Sequence, residues 1–158
     1  DALDKVLPAI RKHSEDLREE EFFLSRNWIE LRDEEDFHEV ILHVFDEGGE
    51  YVRSTNGNIE CGEWRHMNGK FVYGSSSCDG EVFDLAFLDE EFFILKKHGN
   101  SRLFDRRYHV FIIEPLYRKL EWNEAVEYLF DKYRNSNGFL ITAALLLVMV
   151  IVLALLLS

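Results

Sequence analysis

Apolar positions recur at helical spacing along the first twenty residues of the chain. Pro8 lies inside this pattern, so we expect the helix to be kinked there or to begin near it. The acidic stretch 15–21 is predicted to be a solvated face. We therefore predict an N-terminal helix over residues 1–20. The side chains on its apolar face are Leu3, Val6, Leu7, Ile10 and Leu17.

From residue 21 to residue 115 the pattern changes to short apolar and aromatic runs separated by turn signals. Asn68-Gly69, between two such runs, is the strongest short hairpin signal in the chain. Short connections force consecutive strands to pair antiparallel, and a meander of eight strands hides its edges by closing into a barrel. The predicted strands are Phe22–Leu31, Phe37–Phe45, Tyr51–Thr55, Ile59–Met67, Lys70–Tyr73, Val82–Leu88, Phe92–Lys97 and Tyr108–Ile113.

An amphipathic pattern returns between Glu121 and Tyr133, within a predicted helix-and-linker region at 116–137. The charges on its polar face are mixed, unlike those of a Lys/Arg-rich interfacial helix, which favours packing against protein. The stretch 135–138 (Asn-Ser-Asn-Gly) is predicted to interrupt the helix. The side chains predicted to dock a partner are Trp122, Val126, Leu129 and Tyr133.

The run from Phe139 to Leu157 is apolar throughout, with Thr142 as its only polar side chain. A globular core helix would show a polar stripe, and this run has none. Its length at 1.5 Å per residue suffices for a hydrocarbon core of about 30 Å. We predict a transmembrane helix over residues 138–158. The residues assigned to the anchor include Phe139, Leu140, Ile141 and Leu157.

Basic residues precede this run, and only Ser158 follows it. The positive-inside rule then predicts that the N-terminal domain is cytoplasmic. If Ser158 is the natural end, the expectation is a tail-anchored protein. The run contains no ionisable residue, so its side chains are not expected to relay protons or ions. The basic residues on the N-terminal flank are Arg118, Lys119, Lys132 and Arg134.

Charge and composition exclude several classes of function. The 158 residues carry a formal net charge of −12, and the terminal apolar run contributes none of it. Such a surface repels nucleic acid, so a nucleic-acid partner is not expected. Two cysteines, Cys61 and Cys78, are too few for a disulfide scaffold and are predicted to be reduced thiols.

Constellations that would carry catalysis or bind a metal are not found in the sequence. His38 and His43 are separated by an odd number of residues in one predicted strand, so they point to opposite faces, and Cys61 and His66 fail in the same way. A cross-strand site built from His43, His66 or Cys61 stays open as an alternative. Otherwise no catalytic residue, metal or cofactor is predicted.

Aromatic residues make up 14% of the chain, and many of them lie in the predicted strands. Three motifs stand out within residues 28–98: Phe45-Asp46-Glu47-Gly48-Gly49-Glu50-Tyr51, Gly62-Glu63-Trp64 and Phe71-Val72-Tyr73-Gly74. With the two strands that follow, their rhythm resembles that of the small lipocalin-like domains of bacteria. The resemblance implies an up-and-down barrel whose aromatic side chains either fill the core or line a cavity. The candidate ligand-binding residues are Trp28, Tyr51 and Trp64.

Two functional hypotheses follow from these patterns. The first is a non-catalytic single-pass membrane protein that acts as an accessory or assembly subunit of a larger membrane complex, with the bilayer and integral-membrane proteins as its partners. The alternative is a membrane-tethered lipocalin-like protein that binds a small apolar ligand in its barrel.

Overall fold

Eight antiparallel strands form a closed barrel, in which each strand pairs with its neighbour in sequence and β1 pairs with β8. The computed structural model describes residues 2–34, 36–75, 81–99 and 106–158, and of residues 135–142 it describes the backbone only. The predicted antiparallel meander is confirmed. The strands are β1 Trp28–Leu31, β2 Ile41–Phe45, β3 Glu50–Thr55, β4 Asn58–Met67, β5 Lys70–Gly74, β6 Glu81–Leu88, β7 Phe92–Lys97 and β8 Tyr108–Ile113.

Two-residue turns join β3 to β4 and β4 to β5. Asn68 and Gly69 adopt φ angles of 54° and 76°, and the pair Asn56-Gly57 has φ angles of 50° and 92°. Positive φ at both central positions is the type I′ geometry that matches the twist of the flanking strands, and asparagine and glycine adopt it at the least cost. The hairpin predicted at residues 68–69 is confirmed.

One end of the barrel is closed by the segment before β1, which we call the plugged end. The prediction of a strand from Phe22 was wrong, because residues 20–22 form a 3-10 helix and β1 begins only at Trp28. Phe23 enters the barrel and is fully buried. The indole Nε1 of Trp28 donates to the carbonyl of Phe23 at 3.0 Å. The opposite end, bounded by the last residues of β1, β3 and β7, is the mouth.

The N-terminal helix is shorter than predicted. Helix α1 spans Ala2–Ile10, a 3-10 turn follows at residues 11–13, and Ser14 is extended. The prediction of a helix over 1–20 was wrong because the chain after residue 13 bonds to the end of β6. The amide of Glu15 donates to the carbonyl of Leu88 at 2.7 Å, and the Ser14 hydroxyl accepts from the Leu88 amide at 3.0 Å.

Two layers of apolar side chains result from this arrangement. One fills the barrel, and the other lies between the outer face of β6–β8 and the helices α1 and α3. Leu17, assigned to the helix face, is instead buried with the barrel interior. The second layer contains Leu3, Leu7, Ile10, Phe87, Phe92, Ile94, Ile112, Ala125 and Leu129.

Helix α2 (Glu114–Tyr117) is short, and α3 runs without a break from Trp122 to Leu157. The predicted interruption at residues 135–138 was wrong, since the backbone there is helical. One glycine in a helix costs only about 1 kcal/mol, which a long helix tolerates. Within the described part of the chain, we find no helix with the length and apolarity needed to cross a bilayer.

The direction of α3 follows from its contacts. Near its start, Trp122 lines a surface cavity of about 590 Å³ together with Arg32 and Phe37, which follow β1 at the mouth. Ten and eleven residues on, Lys132 and Tyr133 bond to the turn between β6 and β7, at the plugged end. The helix therefore runs along the barrel from mouth to plugged end and then continues beyond it.

Candidate functional site

The three predicted ligand-binding residues all lie in the barrel core. Trp28 and Tyr51 are 0% and 1% exposed, and Trp64 is 8% exposed. The indole Nε1 of Trp64 donates to the carbonyl of Asp46 at 2.7 Å. The indole N–H groups of both Trp28 and Trp64 are therefore bonded to backbone carbonyls of the chain itself. Their contacts are those of side chains that fill a barrel.

Rings occupy the plugged half of the interior. Phe45 lies 5.1 Å from Phe71 and 5.8 Å from Phe93 between ring centroids, and Phe23 lies 5.3 Å from Phe93. Such separations are those of aromatic pairs in direct contact. A small apolar ligand would have to part these rings, and its binding stays a prediction.

Above the rings, a chain of buried polar groups runs across the interior toward the mouth. The Oη of Tyr51 lies 2.7 Å from Nδ1 of His43, and Nε2 of His43 lies 3.1 Å from Oε1 of Glu30. Glu30 and His43 are 4% and 2% exposed. They are brought together because β1 and β2 are paired antiparallel, with Trp28 opposite His43.

The protonation states of Glu30 and His43 follow from the groups around them. Burial acts to raise the pKa of Glu30, but the hydrogen bond from His43 and the charges of Arg106 and Arg32 hold it well below its usual range. Glu30 is therefore ionised and accepts from His43 Nε2–H. Burial lowers the pKa of His43, so its imidazole is neutral and Nδ1 accepts from the Tyr51 hydroxyl.

Two guanidinium groups share the other oxygen of Glu30. Arg32 Nη2 lies 2.6 Å and Arg106 Nη1 3.4 Å from Oε2. Arg106 also places Nη2 3.2 Å from Nδ1 of His109, a nitrogen that lies 3.1 Å from the hydroxyl of Tyr73 as well. Burial and the charge of Arg106 lower the pKa of His109 to about 3. We call Glu30, Arg32, His43, Tyr73, Arg106 and His109 the mouth cluster.

Sequence reasoning missed the mouth cluster, although β1 and β2 contain a signal for it. Glu30 lies between Ile29 and Leu31 in a four-residue strand that is wholly buried, and His43 takes an inward position in β2. A charged residue in such a run has to be paired. Its partners come from distant strands and loops, which a single sequence does not reveal.

The predicted docking residues cover the barrel of their own chain. Leu129 is 1% exposed, and Trp122, Val126 and Tyr133 are half-buried against the layer between helices and barrel. The prediction that this helix packs against protein is confirmed. Binding of a separate partner through these four residues stays a prediction.

A cluster of ionic contacts fixes α3 at the plugged end, and we call it the latch. Lys132 Nζ lies 3.0 Å from Asp89 Oδ2, 2.7 Å from Glu90 Oε1 and 2.8 Å from Glu91 Oε1. The Tyr133 hydroxyl donates to the same Asp89 oxygen. Burial acts to lower the pKa of Lys132, but its bonds to these acids raise it well above its usual range.

From residue 143 to residue 157, α3 is apolar and its side chains are exposed. Every side chain from Ala143 to Leu157 is exposed, and Leu157 itself is 87% exposed. Of the predicted anchor residues, Phe139, Leu140 and Ile141 have a helical backbone, while their side chains lie outside the described residues.

The residues of the alternative cross-strand site do not come together. His43 is inside the barrel, His66 bonds to Glu20 at 2.7 Å near the plugged end, and Cys61 is an exposed free thiol. Cys78 lies outside the described residues. Among the residues that are described, no group of three His, Cys, Asp or Glu side chains is arranged to hold a metal ion.

Compared with models of protein families, with curated proteins and with solved structures, the chain matches none of them.

Proposed function

We propose that this chain is a non-catalytic, single-pass membrane protein and acts as an accessory or assembly subunit of a larger membrane complex. The observation that carries the proposal is the continuity of α3. One helix is fixed to the barrel by the latch and continues past it. From residue 143 to residue 157 it is an uncovered apolar segment, which we call the rod.

The composition of the rod favours lipid as its surroundings. The described apolar side chains run from residue 143 to residue 157, and the sequence is also apolar back to Phe139, apart from Thr142. Burying apolar surface gains about 25 cal/mol per Å², so a helix that exposes apolar side chains to water on every face is costly. A helix that is apolar all round suits a bilayer, which needs about 20 such residues.

The latch supports a fixed arrangement of barrel and anchor. Because α3 leaves the barrel at the plugged end, an anchor in the rod directs the mouth away from the bilayer. The basic residues before the rod, which include Lys132 and Arg134, favour the cytoplasmic side for the barrel. In this arrangement the barrel, which we take to be lipocalin-like, is a rigid module held above the membrane surface.

The accessory role is supported by small residues on the rod. Ala143 and Ala154 are separated by eleven residues, close to three turns of helix, and so share one face. Small side chains allow another transmembrane helix to approach closely. This face is the surface we assign to an integral-membrane partner.

The test is a pull-down through an N-terminal tag in a mild detergent, followed by quantitative mass spectrometry. The proposal predicts a constant set of multi-pass membrane proteins in fixed ratio to the chain. Ala143→Leu combined with Ala154→Leu should remove them. Val152→Phe, which adds four carbon atoms on the opposite face of the same helix, should leave them bound. Recovery of the chain alone from its native membrane contradicts the subunit role.

A further inference from the structure

Hydrogen-bond donors exceed acceptors in the mouth cluster. Nδ1 of His109 lies within bonding distance of both the Tyr73 hydroxyl and Nη2 of Arg106. His109 is neutral, so this nitrogen has one lone pair and satisfies one donor fully. The Nε of Arg106 is buried and has no hydrogen-bond partner among the described residues. A buried donor left unpaired costs about 1–3 kcal/mol.

Positive charge also exceeds negative charge there. Arg32 and Arg106 both face Glu30, and His43 and His109 are neutral, so the six side chains of the cluster together carry one net positive charge. The charge of Arg53 acts to lower the pKa of both Tyr51 and His43, so Arg53 adds a third guanidinium at the mouth. It is, however, paired with Glu60. This local excess contrasts with a chain of net charge −12.

The arginines at the mouth are partly exposed, whereas the acid of the cluster is buried. The side chains of Arg32 and Arg106 are each 27% exposed, and that of Arg53 is 33% exposed, whereas Glu30 is 4% exposed. The guanidinium groups are thus more exposed than the acid that they pair with. Guanidinium and carboxylate form two parallel N–H···O bonds, which are among the strongest in proteins.

We propose that the mouth of the barrel binds a small carboxylate, with Arg106 as its principal ligand and the Tyr73 hydroxyl as a second donor. A singly charged carboxylate neutralises the excess charge and accepts from the surplus donors. The mouth lies at the opposite end of the barrel from the rod, so we assign the carboxylate to the water phase rather than to a lipid headgroup. This site is independent of the proposed anchor and subunit role.

The experiment uses the full chain in lipid nanodiscs of neutral lipid, with acetate as the probe and chloride of equal ionic strength as the reference. Acetate should shift the Nε–H resonance of Arg106 in a saturable way and raise the midpoint of thermal unfolding. Arg106→Gln should weaken acetate binding about tenfold or more. Arg107→Gln, which removes an adjacent arginine that bonds instead to Asp4, should leave binding unchanged.

Two further measurements test the site if Arg106→Gln does not fold, and test where the carboxylate comes from. If Arg106→Gln fails to fold, Tyr73→Phe replaces it, since that variant keeps the ring and removes one donor, and it should weaken binding several-fold. Nanodiscs containing phosphatidylserine test the source of the carboxylate, and acetate affinity equal to that in neutral lipid supports the water phase. Competition by phosphatidylserine overturns that assignment. A shift no larger than with chloride, or equal affinity in Arg106→Gln, overturns the site itself.

Discussion

The Nζ of Lys132 lies 3.0 Å from Oδ2 of Asp89, a carboxylate that is only 2% exposed at the turn between β6 and β7. The other oxygen of Asp89 accepts from the amides of Glu91 and Phe92 at 2.8 and 2.7 Å. One buried acid therefore orders the turn and holds α3 at the same time. The pair lies just before the helix passes beyond the barrel.

Removing the cation of this pair should weaken the attachment of α3. Lys132→Met leaves Asp89 buried without its counter-ion, and removing one partner of a buried ion pair is strongly destabilising. Because Lys132 is 22% exposed, we expect a loss of about 2 kcal/mol, below the range for fully buried pairs. Urea unfolding of the full chain in nanodiscs, followed by tryptophan fluorescence, measures it.

The matched control is Lys119→Met, the same substitution at an exposed position. It should change the free energy of unfolding by less than about 0.5 kcal/mol. Equal effects of the two substitutions would show that the latch contributes nothing.

The buried imidazoles of His43 and His109 predict a loss of stability toward acid. Their pKa values in the folded chain lie below the ordinary 6.5, so from pH 6.5 down to 4.5 the unfolded chain takes up protons that the folded chain excludes. Each histidine should cost up to about 1.4 kcal/mol per pH unit in this window, with no effect above it. Unfolding free energies measured at several pH values test this.

His109→Gln should make that pH dependence shallower, because one of the two contributors is gone. His38→Gln, at an exposed position outside the barrel, should leave the slope as it is. Below about pH 4.5 the depressed pKa of Glu30 adds a second loss in the same direction, so the window above it isolates the histidines. An unchanged slope in His109→Gln contradicts the assignment.

The aromatic interior predicts large losses at ring positions. Phe45 is fully buried and packs against the rings of Tyr51, Phe71 and Phe93, so Phe45→Ala should cost about 3–5 kcal/mol through lost burial and the cavity left behind. Ile59→Ala, at a strand position that is 70% exposed, should cost less than about 0.5 kcal/mol. If Phe45→Ala is tolerated as well as Ile59→Ala, the rings line an adaptable cavity instead of a packed core.

The barrel was predictable because its signals are local. Asn68-Gly69 specified a hairpin, and the bounds of β7 and β8 matched the predicted Phe92–Lys97 and Tyr108–Ile113. The amphipathic face around Leu129 also packed as its spacing indicated. Errors fell where long-range bonds override local preference, as at Ser14, whose hydroxyl accepts from the Leu88 amide, and at Ser25, whose amide donates to the Phe45 carbonyl.

The functional site was less predictable because its geometry depends on register. Gly62 illustrates the point, since a Cβ there would lie 1.8 Å from the carbonyl oxygen of Gly74. Only the pairing of β4 with β5 reveals that close approach. In the same way, Glu30 meets His43 and Arg106 through three separate parts of the chain, and no spacing in the sequence records it.

Membrane insertion of the full chain is the most direct test of the account. The chain is reconstituted with liposomes, washed with alkaline carbonate and floated through a density gradient, beside a variant carrying Val148→Lys and Val152→Lys. Both positions are exposed on the rod, so the barrel of the variant should remain folded. The wild type should float with the lipid and the variant should not, since lysines near a bilayer centre oppose insertion. Wild-type chain that stays behind with the soluble fraction would contradict the membrane anchor.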